Sequence, residues 1–303
     1  IVLCHITAKH LKRIQDLHWC FILMSDIKFV TTFHNPGMVE YGQRFIDSFA
    51  ERVDKNIHLV VYAEDCWPDN PDPLQIIIKD QKEVPKLIAF KERWKDVPIA
   101  NGKCPWPERR PRDHHKEFKW HAVRFANKTY TVFQEALDPT INWLVWIDAD
   151  TFVHSDWSYE QIKNLLPRDK WITYVGRGIG SQTWPECGFY GLNVKDRMCK
   201  QFLTEFERYY EDADNGIFTL DEWHDSFVFG HILNQMKAKY PNVLDYSANI
   251  YNNTAKTGGG GHPLINSVLG TWLDHMKGVR KSEGSSRKKD LLVPRNEKYW
   301  NEV

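Results

Sequence analysis

Trp143-Leu-Val-Trp-Ile-Asp-Ala-Asp150 decides how the rest of this 303-residue chain is read. Five consecutive large apolar residues form a strand buried on both faces, as in a parallel sheet covered by helices. The run ends in two carboxylates spaced two apart. Strand residues i and i+2 share a face, so Asp148 and Asp150, just past the strand's carboxyl edge, can turn toward one hard divalent cation. Open α/β sheets place their ligands at that edge. Asp is common in ordinary turns as well, so the pair takes its meaning from the strand before it.

The elements on either side agree. Lys28-Phe-Val-Thr-Thr-Phe33 is rich in β-branched and aromatic residues and stops at Asn35-Pro36-Gly37, which punctuates a strand. Met38, Tyr41, Phe45, Phe49 and Val53 recur every three or four residues, which predicts a helix with one buried face. Ile57-His-Leu-Val-Val-Tyr62 supplies the next strand and completes a βαβ unit with a right-handed crossover. No GxGxxG follows the first strand, so a dinucleotide fold has no direct support. Residues 66 to 118 hold eight prolines and read as loops with one short helix. A helix from Trp120 to Leu137 follows, lined by Val123, Ala126, Tyr130, Phe133 and Leu137, with Arg124 and Lys128 one turn apart on another face. Thr219-Leu-Asp-Glu222 reads as a capping box that opens a helix containing Phe229, Ile232, Leu233 and Met236. Gly258-Gly-Gly-Gly261 loses too much entropy on ordering to be regular structure and reads as a flexible loop.

Composition removes several classes. With 40 basic and 40 acidic side chains, the chain has no overall field to attract nucleic acid, and none is expected as a partner. Hydrophobic residues at 42% and charged ones at 26% exclude disorder and fibrous repeats. The six cysteines form no CxxC pair and no metal-ligand spacing, which fits reduced thiols and a cytoplasmic protein, or one peripheral at a membrane surface. The apolar run Trp19 to Met24 is far shorter than the about 20 residues of a transmembrane span, and none is expected. Met24-Ser25-Asp26 reads as a natural start ahead of the first strand, so residues 1–23 are expected to be an extension. Thirteen Trp is a high number; they serve as core anchors or as flat surfaces for sugars.

Taken together, Leu144-Val-Trp-Ile-Asp-Ala-Asp-Thr-Phe152 resembles the apolar strand and DxD motif of GT-A glycosyltransferases, the metal-dependent nucleotide-sugar enzymes. The resemblance covers residues 27 to 280. It takes in the βαβ opening, the helix carrying Arg124, Glu186-Cys-Gly-Phe-Tyr-Gly-Leu-Asn193 and Asp274-His-Met-Lys-Gly278, in family order. It implies a GT-A-like α/β single domain at residues 24–280, with a mostly parallel, Rossmann-like sheet flanked by helices, ahead of a basic tail at 281–303. It implies Mn²⁺ or Mg²⁺ held by Asp148, Asp150 and His275, the last from the C-terminal element. The donor it implies is a nucleoside diphosphate sugar, met by Thr31, Thr32, Arg124, Asp148, Lys277 and Gly278. His-Met-Lys-Gly departs here from the His-x-x-Gly-x-Lys order of glycogenin-like transferases. The acceptor would be a carbohydrate or other hydroxyl compound (glycan, lipid or protein), with Asp225 activating or positioning it and Glu186 beside the donor sugar; these two are the catalytic candidates.

The physical roles match. A departing nucleoside diphosphate gathers negative charge, which a divalent cation offsets as a Lewis acid. Between Lys277 and Lys298 lie eight basic side chains against three acidic ones, either a solvated tail or a segment that closes over an anion. Two alternatives remain open. A DxD-type phosphoryl-transfer enzyme or phosphatase also ends an apolar strand in DxD, but Phe152 stands where that motif wants Thr or Val. A non-catalytic carbohydrate-binding protein would suit the tryptophans, but such modules are usually all-β.

Overall fold

The computed structural model describes residues 26–177, 184–248 and 263–303. The expectations for residues 1–23 and for the glycine run at 258–261 lie outside them. β1 (Ile27–His34) passes into helix without a loop. Pro36 stands in the first turn, Asn35–Gly37, where its missing N–H is harmless; a π turn spans Met38–Gly42; α1 (Gln43–Arg52) continues and buries Phe45, Ile46 and Phe49. Asn35-Pro36-Gly37 therefore ends the strand by starting the helix.

β2 (His58–Glu64) runs parallel to β1, with Lys28 opposite His58. The proline-rich region contains the expected helix, α2 (Pro85–Trp94), and also a strand, β3 (Ile76–Asp80), where only loop was expected. β3 is an edge strand with one fully buried residue, so neither alternation nor a long apolar run marked it. α3 (Ala122–Glu135) leads into β4 (Trp143–Ile147), buried throughout as its composition requires. Then come β5 (Thr151–Val153), α4 (Tyr159–Leu165), β6 (Ile172–Val175), β7 (Glu186–Asn193), α5 (Arg197–Glu211), α6 (Asp225–Lys237), β8 (Val243–Asp245), α7 (Pro263–Asn266), β9 (Leu273–His275), α8 (Arg280–Glu283) and α9 (Lys298–Glu302).

Seven strands form one sheet in the order β3-β2-β1-β4-β7-β6-β8, and among them only β7 runs against the others. This is the mostly parallel α/β architecture that the GT-A resemblance implies. Alternation along β4 divides the core. Leu144 and Trp146 join a cluster with residues of α3, α5 and α6, while Trp143, Val145 and Ile147 join Phe45 and Phe49 of α1 on the other face. Six tryptophans, Trp120, Trp146, Trp157, Trp171, Trp223 and Trp300, are fully buried anchors. Trp67, by contrast, is 66% exposed.

Two expectations change. α6 opens at Asp225 with His224 as its N-cap, the imidazole accepting from the Phe227 N–H, so Thr219-Leu-Asp-Glu222 caps no helix. Glu222 is instead drawn into the core by Lys119 and His224. The basic C-terminal stretch packs on the core and is no solvated tail: Trp300 is 1% exposed and donates to the Gly270 carbonyl, and buried Asp290 pairs with Arg280.

Candidate active site

β5 and β9 pair as a two-stranded antiparallel ribbon in which Thr151 faces His275. The Met276 N–H donates to the Asp150 carbonyl at 2.9 Å. This pairing delivers a histidine from the far end of the chain to the strand end that carries Asp148 and Asp150. Potential ligand atoms of the three side chains all lie within 4.8 Å of one another. Gly188 on β7 makes room for the imidazole: a Cβ there would sit 2.5 Å from His275 Cε1.

Each carboxylate has one oxygen anchored and one turned inward. Asp148 Oδ1 accepts from Trp146 Nε1 at 2.7 Å and from Lys128 Nζ at 3.0 Å, while Oδ2 lies 3.6 Å from His275 Nε2. Asp150 Oδ2 meets Lys281 Nζ at 2.8 Å and Oδ1 lies 3.3 Å from the same imidazole nitrogen. His275 is 2% exposed, and its Nε2 makes no well-directed hydrogen bond although two carboxylate oxygens face it. A buried imidazole nitrogen aimed between two carboxylates is a donor set that suits Mn²⁺ or Mg²⁺. Burial opposes charge at all three groups, and their neighbours overcome it. Lys128 and His275 hold the Asp148 carboxyl well below the ordinary range, His275 and Lys281 lower that of Asp150, and the two carboxylates raise the His275 imidazole to about 9.

The triad borders a cleft of about 520 Å³, a size suited to a small-molecule ligand. Its walls come from the carboxyl ends of β1 (Thr32, His34), β2 (Glu64) and β4 (Asp148, Asp150), with Tyr41 of the π turn, Arg124 of α3 and Lys281 of α8. β1 lies between β2 and β4, so the cleft sits where the strand order reverses.

The residues expected at the site fall into two groups. Asp148, Asp150, Thr32 and Arg124 line the cleft, and His275 lies against the two acids. Thr32 Oγ1 is already engaged, donating to the Tyr62 carbonyl at 2.7 Å and accepting from Gln81 at 2.5 Å. Thr31, on the opposite face of β1, is fully buried and lies outside the cleft lining, because neighbours on a strand point to opposite sides. Glu186 is buried with Lys277 and, at 3.3 Å, Arg177, so Lys277 is committed to that carboxylate. Burial would raise the Glu186 carboxyl, but these cations hold it well below its usual range. Gly278 has φ +59°, a left-handed turn that favours glycine. Asp225 is buried and pairs with Lys128 Nζ at 2.8 Å.

Sequence reading missed the two cations that organise the acids. Lys128 is buried between Asp148 and Asp225, donates to the Cys187 carbonyl and lies 4.6 Å from the Trp146 ring centroid. The available signal was its place one turn after Arg124, beside buried Thr129 and Tyr130. Lys281, counted only as part of a basic run, reaches Asp150.

No protein-family model matches the chain, and no curated protein matches it. Among solved structures, it is similar to the apo WbbM bifunctional glycosyltransferase, with TM-score 0.42 and 14% identity over 90% of this chain and 47% of that one. It is also similar to apo mouse xyloside xylosyltransferase 1, with TM-score 0.39 and 9% identity over 72% and 83% of the two chains. The chain thus spans about half the length of WbbM. Among the described residues, no helix is long and apolar enough to cross a membrane.

Proposed function

We propose that this chain is a metal-dependent glycosyltransferase that moves a sugar from a nucleoside diphosphate sugar to a hydroxyl acceptor. The observation that carries the reading is the convergence of Asp148, Asp150 and His275 at the strand-order reversal, beside a cleft of ligand size. A divalent cation held by these three residues would supply Lewis-acid neutralisation of the leaving diphosphate. Lys128 and Trp146 fix one oxygen of Asp148 and so aim the other inward. Lys281 bridges Asp150 to the cleft wall, where its ammonium can also meet a phosphate oxygen. Arg124 and Thr32 line the space a nucleotide would fill.

Asp225 and Glu186 keep their places in this reading as acids near the reacting sugar, with an amendment. Each is buried against a lysine, so its nearer task is to balance charge around the site; acceptor activation by Asp225 would proceed with Lys128 as a third partner. The deciding experiment is a thermal-shift screen of UDP, GDP, ADP and CDP with and without Mn²⁺ or Mg²⁺. At least one nucleotide should raise Tm in the presence of metal, and the rise should vanish in Asp150→Ala, because only ligands of the folded state stabilise it. No shift with any pair would overturn the reading.

A further inference from the structure

An aromatic bowl adjoins the cleft. Its centre is the buried imidazole of His224, and Trp184, Phe118, Phe125 and Phe227 stand around it with ring centroids at 4.7, 5.7, 5.9 and 6.2 Å. The floor is fixed from below. His224 Nδ1 accepts the Phe227 N–H at 3.3 Å, its Nε2 lies 3.1 Å from Glu222 Oε2, and Lys119 Nζ clamps Glu222 at 2.6 Å. The rings above are not packed away: Phe118 is 44% exposed, and Phe125, Trp184 and Phe227 are half-buried. Among the described residues most large aromatics serve the core, and Phe227 packs against it as well, so it is the exposure left at Phe118, Phe125 and Trp184 around one locked histidine that needs another explanation.

Two links join the bowl to the candidate active site. Phe125 lines the cleft and also belongs to the bowl. Asp225 directly follows His224 and pairs with Lys128, which holds Asp148. The surroundings are polar: Lys116 and Glu117, next to Phe118 in the chain, are exposed and charged, as is Asp221 beside Glu222. Partly exposed aromatic rings beside charged, hydrogen-bonding groups, including Lys119 5.4 Å from the Trp184 ring centroid, match a sugar ring, which offers C–H groups on one face and hydroxyls at its edge. An acyl chain would bring these polar neighbours no hydroxyl to hydrogen-bond.

We propose that Phe118, Phe125, Trp184 and Phe227 form the acceptor subsite and that its occupant is a carbohydrate, one ring stacked by its C–H face. The term acceptor rests on the glycosyltransferase reading; carbohydrate binding at the bowl does not. The test is saturation-transfer NMR on the full chain with the methyl glycosides of glucose, galactose, mannose and xylose, and with octyl β-glucoside below its micelle concentration. Ring protons of at least one methyl glycoside should receive saturation. Removing one aromatic contact, in Phe118→Ala or Trp184→Ala, should weaken that binding about fivefold or more, and Trp184→Phe should restore most of it. Phe118 is exposed enough for its truncation to leave the fold intact, which the melting temperature checks.

Saturation of no sugar ring, of only the octyl chain, or undiminished transfer in both alanine variants overturns the proposal. Metal-dependent nucleotide binding, read on the same samples, separates the two inferences. If nucleotides fail to bind and glycosides still do, the glycosyltransferase reading falls and the bowl stands as a carbohydrate site. If nucleotides bind and no ring is saturated, the bowl alone falls.

Discussion

Asp148 and Asp150 look equivalent in the sequence, but their surroundings give them different tasks. Asp148 shares one oxygen with Trp146 and Lys128, and Asp150 shares one with Lys281 at the mouth of the cleft. Asp150→Ala removes a candidate ligand outright, so Mn²⁺ affinity, measured by calorimetry with nucleotide present, should fall by more than the about 10–100-fold typical of losing an outer partner. Asp148→Asn should cost less, because it keeps one oxygen where Asp150→Ala keeps none, although that oxygen can serve the metal only by giving up its bonds from Trp146 and Lys128; an equal or larger loss would make Asp148 the dominant ligand. Lys128 carries the larger structural debt. Replacing it with Met leaves the Asp148 and Asp225 carboxylates without their shared cation, and breaking a buried pair costs about 3–5 kcal/mol. Urea denaturation should show that loss; a change under about 1 kcal/mol would mean that water reaches these acids freely.

Among the elements, the β5–β9 ribbon has the most to do, since three residues on each side set where His275 points. Its backing is a glycine. In Gly188→Ala the new methyl would sit 2.5 Å from the imidazole, so either β7 or β9 must shift. Overpacking of this kind costs about 1–3 kcal/mol. Metal affinity should fall along with stability, and a variant that lost stability with unchanged Mn²⁺ binding would detach His275 from the site. β4 and α3 were legible in the sequence because local pattern and tertiary burial agree: an apolar run for a central strand, a period of three to four for a helix on the sheet. β3 was not, because an edge strand is only partly buried. The capping box at Thr219 failed for a different reason. Local chemistry proposed one partner for Glu222, but folding brings a buried ammonium and an imidazole to it, and charge pairing outweighs a cap.

Across the whole molecule, the C-terminal residues pack against the β5–β9 ribbon. His154, just past β5, stacks on Tyr299 at 4.4 Å and meets Trp300 edge-on, with Nε2 3.2 Å from the Gly270 carbonyl. Burial in this sandwich lowers the His154 imidazole from 6.5 to about 4, against the smaller opposing effect of that carbonyl. An unfolded chain takes up this proton below about pH 6.5 and the folded chain not until about pH 4. Stability contributed by the neutral ring is therefore complete above that window and lost as pH falls through it, by up to about 3 kcal/mol. His154→Phe can keep the stack and cannot titrate. Its stability should depend less steeply on pH between 7 and 4.5 than that of the parent chain, and identical slopes in paired denaturation series would remove His154 as the cause.

The sequence by itself determined the α/β class, the central strand, the helix ahead of it and the paired acids, all from short-range rules: side-chain alternation, helical period, and the tendency of open sheets to expose functional groups at carboxyl ends. His275 as their companion came only from the resemblance to GT-A enzymes, and the β5–β9 pairing is what sets it beside the acids. Tertiary structure alone decided which of the remaining residues belong together. Thr31 and Thr32 are adjacent and part company because a strand alternates. Lys128, Asp225, Glu186 and Lys277 are scattered over some 150 positions and form two ion pairs, one buried and one with Glu186 buried and Lys277 partly exposed, because desolvated charges must find partners wherever the fold puts them. The same holds for the aromatic bowl, drawn from three separate stretches of chain around His224. No spacing encodes it, and it exists only once the sheet has set the helices side by side.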